Sequence, residues 1–249
     1  MSNLIPSKVE RDRIRADKQR QILLFLLAEG FSIVAVLALL LNMTPNGVQR
    51  IVRRMEKSGL IKSHTVDFEL SAWNLKIWGL TPTGALLATD MNEDPKFFEV
   101  GRIKPITIAH SLALQRVKVV ALSFGWEQWE SSSRMLKKAN ESRSEWIQVP
   151  DTVARSPKGR KVAIELERTA KTPKRYVEIL ANYAEMISMG VIDEVVYVCP
   201  EQLTTRLERL FHRIEKIIFK GRVITVPENL LSRFYFISYE KWETDSHKM

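Results

Sequence analysis

A single cysteine, Cys199, stands in 249 residues, so the chain can form neither an intramolecular disulfide nor a cysteine-based metal centre. Nothing argues for secretion, and a cytoplasmic home is expected. Glycine and proline are scarce at 10 each, and no low-complexity run interrupts the sequence, which excludes a mostly disordered chain. An unbroken membrane span is lacking as well. The most apolar stretch, Ile22 to Leu41, has the roughly 20 residues that cross a bilayer. Glu29-Gly30 sits in its middle, however, where a carboxylate costs about 2.5–3.5 kcal/mol on insertion scales. The stretch reads instead as two short helices, about Lys18–Ala28 and Ser32–Leu41, with Ser32 as N-cap of the second.

What is present is apolar content and positive charge. With 45% hydrophobic residues, the chain is long enough for two domains that each bury a core. Lys and Arg outnumber Asp and Glu by 38 to 29, which predicts a polyanionic partner. Residues 1–65 hold eleven of those bases against five acids, a net of +6 out of +9. The polyanion should therefore meet the N-terminal end.

After Leu41, the run Asn42-Met43-Thr44-Pro45 supplies a turn, an N-cap and a proline at the first helical position. The helix it opens runs to about Lys57 and stops at Gly59. Val48, Ile51, Val52 and Met55 make its apolar stripe, while Asn46, Gln49, Arg50, Arg53, Arg54 and Lys57 fall on the outer face. Leu60–Leu70 and Trp73–Leu80 read as strands joined through Ser71-Ala72. Three helices and a hairpin form the winged helix-turn-helix arrangement, whose third helix enters the major groove of duplex DNA. Arg and Gln suit base edges, and the flanking bases suit phosphates. Leu80-Thr81-Pro82-Thr83-Gly84 restarts a short helix. The predicted order is thus an α/β (α+β) chain with a winged-helix domain at 1–90, a linker at 91–105 marked by Asn92, Pro95, Gly101 and Pro105, and an α/β domain at 106–249.

The second half opens with an amphipathic helix over Ile106–Phe124, carried by Ile106, Leu114, Val117 and Ala121 and bearing His110. A strand over Gly125–Glu130 follows. Trp146–Arg155 and Arg160–Glu167 read as two strands joined by Ser156-Pro157-Lys158-Gly159. Side chains alternate along a strand, so Ala163, Glu165 and Glu167 share one face. A loop of three or five residues would set Glu165 opposite Asp151 and gather three carboxylates. Such charges repel unless a cation lies among them, and Mg²⁺ or Mn²⁺ with oxygen ligands answers that need. A divalent metal on a DNA-binding chain points to phosphodiester cleavage. The alternative from spacing alone is a solvated strand face paired with Arg168, Lys171, Lys174 and Arg175. Thr172 and Pro173 start a helix to Met189 with a buried stripe of Val177, Leu180, Ala184 and Ile187, and Ile192–Cys199 is the next strand. From Pro200 a basic helix carries Arg206, Arg209, Arg213, Lys216 and Lys220, a face either solvated or turned to phosphates, with strands near Arg222–Val226 and Phe234–Tyr239.

Pro150-Asp151, a hairpin and Glu165-Leu166-Glu167 resemble the PD-(D/E)xK signature of restriction-endonuclease-like nucleases, which implies a mixed central sheet. Where that signature has its lysine this chain has Glu167, so the lysine's role passes to Lys171 or Lys174 or is lost. More widely, the winged helix, Leu80-Thr81-Pro82-Thr83-Gly84, His110, Pro150-Asp151, Ile164-Glu165-Leu166-Glu167-Arg168-Thr169, Tyr176 and Tyr183 resemble the replication-relaxation family, and within it the MOBC-type plasmid mobilisation relaxases. That resemblance implies metal ligation by Asp151, Glu165 and Glu167, with His110 and Glu130 as further members of the site. It makes Tyr176 and Tyr183 candidate nucleophiles, with water as the alternative. The implied partners are the plasmid transfer origin, as duplex and as nicked DNA, and accessory mobilisation or coupling proteins. The expected function is metal-dependent nicking. Its rivals are a non-catalytic winged-helix regulator or replication accessory and an endonuclease that cuts both strands.

Overall fold

The computed structural model describes residues 7–66, 74–90, 95–141 and 146–249. The chain divides into two compact units, Met1–Arg116 and Val117–Met249. The division falls inside a helix, not in the 91–105 segment. Among the described residues no helix is long and apolar enough to cross a membrane.

In the first unit, α1 (Lys8–Glu29) begins ten residues before the expected helix. Its early turns are rich in charge, with Arg11, Arg13 and Arg15 beside Lys8 and Glu10, good helix formers that need no apolar stripe, and the Ser7 hydroxyl caps them by accepting from the Glu10 N–H at 3.2 Å. Gly30, at φ 79°, ends α1, which breaks the apolar run where the sequence predicted. α2 (Val34–Leu40) follows, but Ser32 is not its N-cap. Ser32 instead bridges to Trp78, exchanging backbone hydrogen bonds of 2.9 and 2.8 Å, and its buried hydroxyl donates to Gln115 Oε1 at 2.8 Å.

α3 (Pro45–Lys57) is capped by Thr44, whose hydroxyl accepts from Gly47 N–H. It closes with the Gly59 N–H on the Glu56 carbonyl and the Leu60 N–H on the Met55 carbonyl, a Schellman motif that uses the left-handed φ of 71° at Gly59. β1 (Ile61–Val66) and β2 (Leu75–Leu80) pair antiparallel, with Ile61 opposite Leu80; the expected Ser71-Ala72 link lies outside the described residues. α4 (Pro82–Ala88) shows why Gly84 follows the Thr81-Pro82 start: a Cβ there would lie 1.9 Å from the Leu60 carbonyl oxygen. The segment read as linker also contributes to this core. Phe98 is buried with Val66, Ile77 and Ile108, against a Gly79 that has no room for a Cβ.

α5 (Pro105–Ser123) crosses the division. Ile108, Val117 and Ala121 are buried, whereas Ile106, expected in the apolar stripe, is exposed. The second unit then runs β3 (Glu127–Ser131), α6 (Ser132–Glu141), β4 (Thr152–Arg155), β5 (Lys161–Leu166), α7 (Pro173–Ser188), β6 (Glu194–Cys199), α8 (Glu201–His212), β7 (Lys216–Phe219), β8 (Arg222–Thr225), α9 (Glu228–Leu231), β9 (Phe234–Ser238) and α10 (Tyr239–Asp245). The mixed five-stranded sheet has the order β3-β4-β5-β6-β9. β3, β4 and β5 are antiparallel neighbours, while β5, β6 and β9 run parallel. The whole chain is accordingly a mixed α+β protein.

One part of the tail departs from its reading. The basic helix ends at His212, so Lys216 lies on β7, and Lys220 and Gly221 form the two-residue turn to β8 with φ of 49° and 76°, the pattern of a type I′ hairpin. At the other end of the unit, Trp126 and Trp242 pack with ring centroids 5.3 Å apart. Their indole N–H groups donate to the carbonyls of Ser246 and Val117, both at 3.0 Å, so buried polar tips are satisfied as the apolar rings pack.

Candidate functional site

The hairpin β4-β5 pairs Thr152 with Ile164 and Arg155 with Lys161, leaving the five-residue loop 156–160. Carried one residue further, that register sets Asp151 against Glu165. Directly opposed residues share a sheet face, and Glu130 opposes Val153 while Glu165 neighbours Tyr197 on β6. Glu130, Asp151, Glu165, Glu167 and Tyr197 therefore stand on one face. Asp151, Glu165, Glu167 and Tyr197 are near the carboxyl ends of the parallel strands, where open α/β sheets receive ligands.

Much of this face is covered. Ala163, Tyr197 and Cys199 belong to the same core cluster as Tyr176, Ile179, Leu180 and Tyr183 of α7. The helix thus covers the strand face that carries the acids, and Glu167 is only 5% exposed. Each carboxylate is held. Asp151 Oδ2 accepts from the Leu166 N–H at 2.8 Å, Glu165 Oε1 accepts from the Tyr183 hydroxyl, and Glu167 Oε2 forms an ion pair with Lys171 Nζ. The Lys171 N–H in turn donates to the Tyr176 hydroxyl oxygen at 3.0 Å.

Burial pushes the Glu165 carboxyl up to about 7, and repulsion from Asp151 adds to it, against the lowering pull of the Tyr183 hydroxyl and the Lys171 ammonium. Glu165 is therefore poised to exchange a proton near neutrality or to welcome a cation. Lys171 is the lysine brought to the acids; Lys174 is exposed on the first turn of α7. Glu130 shares the face but pairs with Lys138 at 2.6 Å. His110 lies on the part of α5 that belongs to the first unit.

Tyr176 and Tyr183 are fully buried, and burial holds both hydroxyls above their ordinary pKa. They belong to the packed stripe of α7 and position Lys171 and Glu165, an arrangement that disfavours attack on DNA by either oxygen. The sequence reading missed Tyr197. Its ring stacks on Phe236 at 5.4 Å, and its hydroxyl is buried without a hydrogen-bond partner among the described residues. The apolar run Glu194–Cys199 gave no sign that one of its members would stand beside Glu165.

Among the described residues no three His, Cys, Asp or Glu side chains gather as a metal-holding set. The ion pair with Lys171 turns Glu167 away from that use. Asp151 and Glu165 remain a close, mutually repelling pair of hard oxygen donors, which fits a Mg²⁺ or Mn²⁺ ion bound through two carboxylates and water.

In the first unit, Asn46, Arg50, Arg53, Arg54 and Lys57 are exposed on α3 while Val48, Val52 and Met55 are buried beneath them, and Gln49 is half-buried. The one acid of the helix, Glu56, accepts from the Ser63 hydroxyl of β1 at 2.6 Å. That bond keeps a carboxylate engaged on the side of the hairpin.

The sequence model of a family described as replication-relaxation matches residues 25–197, a span that contains α2, α3, the acidic hairpin and Tyr197. No curated protein matches the chain significantly. Among solved structures, that of the Lactococcus lactis ZitR C30AH42A mutant in apo form is 27% identical over 32% of this chain and 58% of its own, with a TM-score of 0.25. The matched part of this chain thus spans little more than half of that structure's length.

Proposed function

We propose that this chain, which belongs to the replication-relaxation family, is a DNA-nicking protein of plasmid mobilisation: the first unit, read as a winged helix, holds duplex at the transfer origin, and the second, read as a nuclease-like domain, breaks one phosphodiester. The observation that carries the reading is the Asp151–Glu165 pair, two half-buried carboxylates close enough that their repulsion helps raise Glu165 to about 7. A cation bound by the two would relieve that repulsion and, when present, would offset charge building on the scissile phosphate.

The protein's own residues do the rest. Glu167 holds Lys171 by an ion pair, and the Lys171 ammonium beside Glu165 takes the anion-stabilising role of the absent motif lysine. Tyr183 fixes the rotamer of Glu165 through its hydrogen bond. Because both α7 tyrosines are buried, the nucleophile is water. Its oxygen bonds to phosphorus as the bond to one ester oxygen breaks, leaving a hydroxyl end and a phosphomonoester end. On α3, Arg50, Arg53, Arg54 and Lys57 neutralise phosphates and position the duplex, while Asn46 and Gln49 are suited to base edges.

Incubation of a supercoiled plasmid carrying the cognate transfer origin with Mg²⁺ or Mn²⁺, and with chelator, tests the reading. Open circles that need metal and fall by at least about 100-fold in Glu165→Ala are expected, the size of loss typical for a catalytic group. Linear product would replace the nickase by an endonuclease. Intact plasmid in every lane with retained duplex binding would leave a regulator, the second reading.

A further inference from the structure

A second charged feature of the C-terminal unit lies outside the acidic site. A cavity of about 710 Å³ opens between the start of α7, α8 and the start of β7. Arg206, Arg209, Arg213 and Lys216 stand around it over apolar walls that include Val177 and Leu210. All four cations are exposed. Among the described residues none of them has a carboxylate within ion-pair distance. Among the described residues, Glu215 is the lone acid lining the cavity.

α8 explains the arrangement. Leu203, Leu207 and Phe211 are buried, so Arg206, Arg209 and Arg213, spaced three and four apart, line up on the opposite side. Seven residues of helix rise about 10 Å, so the three guanidinium groups span more than one nucleotide of a DNA strand. Guanidinium groups along one side of a helix, above apolar surface, form a groove suited to tracking a phosphate backbone. Such a cleft, with apolar walls between its cations, suits the unpaired bases and backbone of a single strand better than the stacked, paired bases of a duplex. One wall of the cleft is the first turn of α7, which begins two residues after Lys171, the partner of Glu167.

We infer that the α7–α8 cleft binds the phosphate backbone of single-stranded DNA and holds the strand that is nicked. The identity of that strand rests on the nicking reading, whereas binding itself does not require cleavage. The test uses the full chain in chelator, with a labelled 20-nucleotide single strand and the matching duplex, in anisotropy titrations across salt concentrations. Arg206→Ala/Arg209→Ala/Arg213→Ala should lose on the order of 100-fold in single-strand affinity near 0.1 M salt and about 2 units of salt slope, at about 0.7 per lost phosphate contact. Duplex affinity should stay within about twofold, since α3 supplies that contact, and the triple Arg→Lys variant should retain most single-strand binding. An unchanged single-strand affinity in the alanine variant overturns the proposal, including the case in which that variant instead loses binding to phosphatidylserine vesicles. An equal loss on strand and duplex overturns it too. If the wild type never nicks but the alanine variant still loses the strand, the cleft stands and the nicking reading falls.

Discussion

The two units treat charge in opposite ways. The first leaves Arg50, Arg53, Arg54 and Lys57 exposed on α3 above a buried stripe, while the second places Glu165 and Glu167 under α7, beside two buried tyrosines and Lys171. An exposed cation costs the fold little and interacts through space with whatever polyanion approaches. A buried carboxylate must be held by specific partners, and any imbalance appears as a displaced pKa and lost stability. Charges on a surface can thus serve binding without strain, whereas charges gathered in an interior point to chemistry performed there.

The largest effect that would sharpen this contrast is on stability. In the folded chain Glu165 keeps its proton up to about 7, against 4.5 for an ordinary glutamate. The folded state therefore binds the proton more tightly than the unfolded one. Stability from this group is complete below about pH 4.5 and is lost as pH rises through 7. The full shift corresponds to on the order of 3 kcal/mol. Glu165→Gln, neutral at every pH, should be more stable than the wild type by that order at pH 8 in chelator, with the advantage shrinking towards pH 5. Urea denaturation at the two pH values reads it, and an equal difference at both would show that Glu165 is not an uncompensated buried acid.

α3 should behave in the opposite manner. Arg50→Ala/Arg53→Ala should change unfolding free energy by no more than about 0.5 kcal/mol, as for surface substitutions. It should reduce the salt slope of duplex binding by up to about 1.8, at about 0.9 per phosphate contact. A loss of stability comparable to that at Glu165 would break the comparison. Titrations of origin duplex between 50 and 200 mM salt, beside the same denaturation curves, decide it.

The difference also governs what the sequence discloses. α3 is legible because one helix contains both its pattern and its outcome: Thr44-Pro45 starts it, Gly59 ends it, and a 3.6-residue period sorts Val48 and Val52 from Arg50 and Arg53. The shared face of Asp151, Glu165 and Glu167 is legible for the same reason, since it needs only period-two alternation and a loop length. What covers that face depends on contacts between segments distant in sequence. Tyr176 and Tyr183 read as available hydroxyls until α7 is seen lying on β5, and Glu167 reads as a metal ligand until Lys171 is seen against it. The first ten residues of α1 were missed because a charged, exposed helix has no apolar period, and β7 because Lys216 continues the basic spacing of α8 past the true helix end at His212.

Tyr197 supplies the smallest and finest test. Tyr183 and Tyr197 are both buried beside Glu165, but only Tyr183 donates to it, whereas the Tyr197 hydroxyl has no partner among the described residues. Removing a bonded hydroxyl forfeits the bond and leaves Glu165 less satisfied, at a cost of about 1–2 kcal/mol. Removing an unpartnered one relieves a buried polar group and should leave stability equal or raise it by about 1 kcal/mol. Tyr183→Phe should thus destabilise, and Tyr197→Phe should not, in metal-free denaturation at pH 7. If Tyr197→Phe instead costs as much as Tyr183→Phe, its hydroxyl is engaged in the folded protein. The acidic face would then be a closed network that includes β6, rather than a pair of carboxylates with an unused donor beside them.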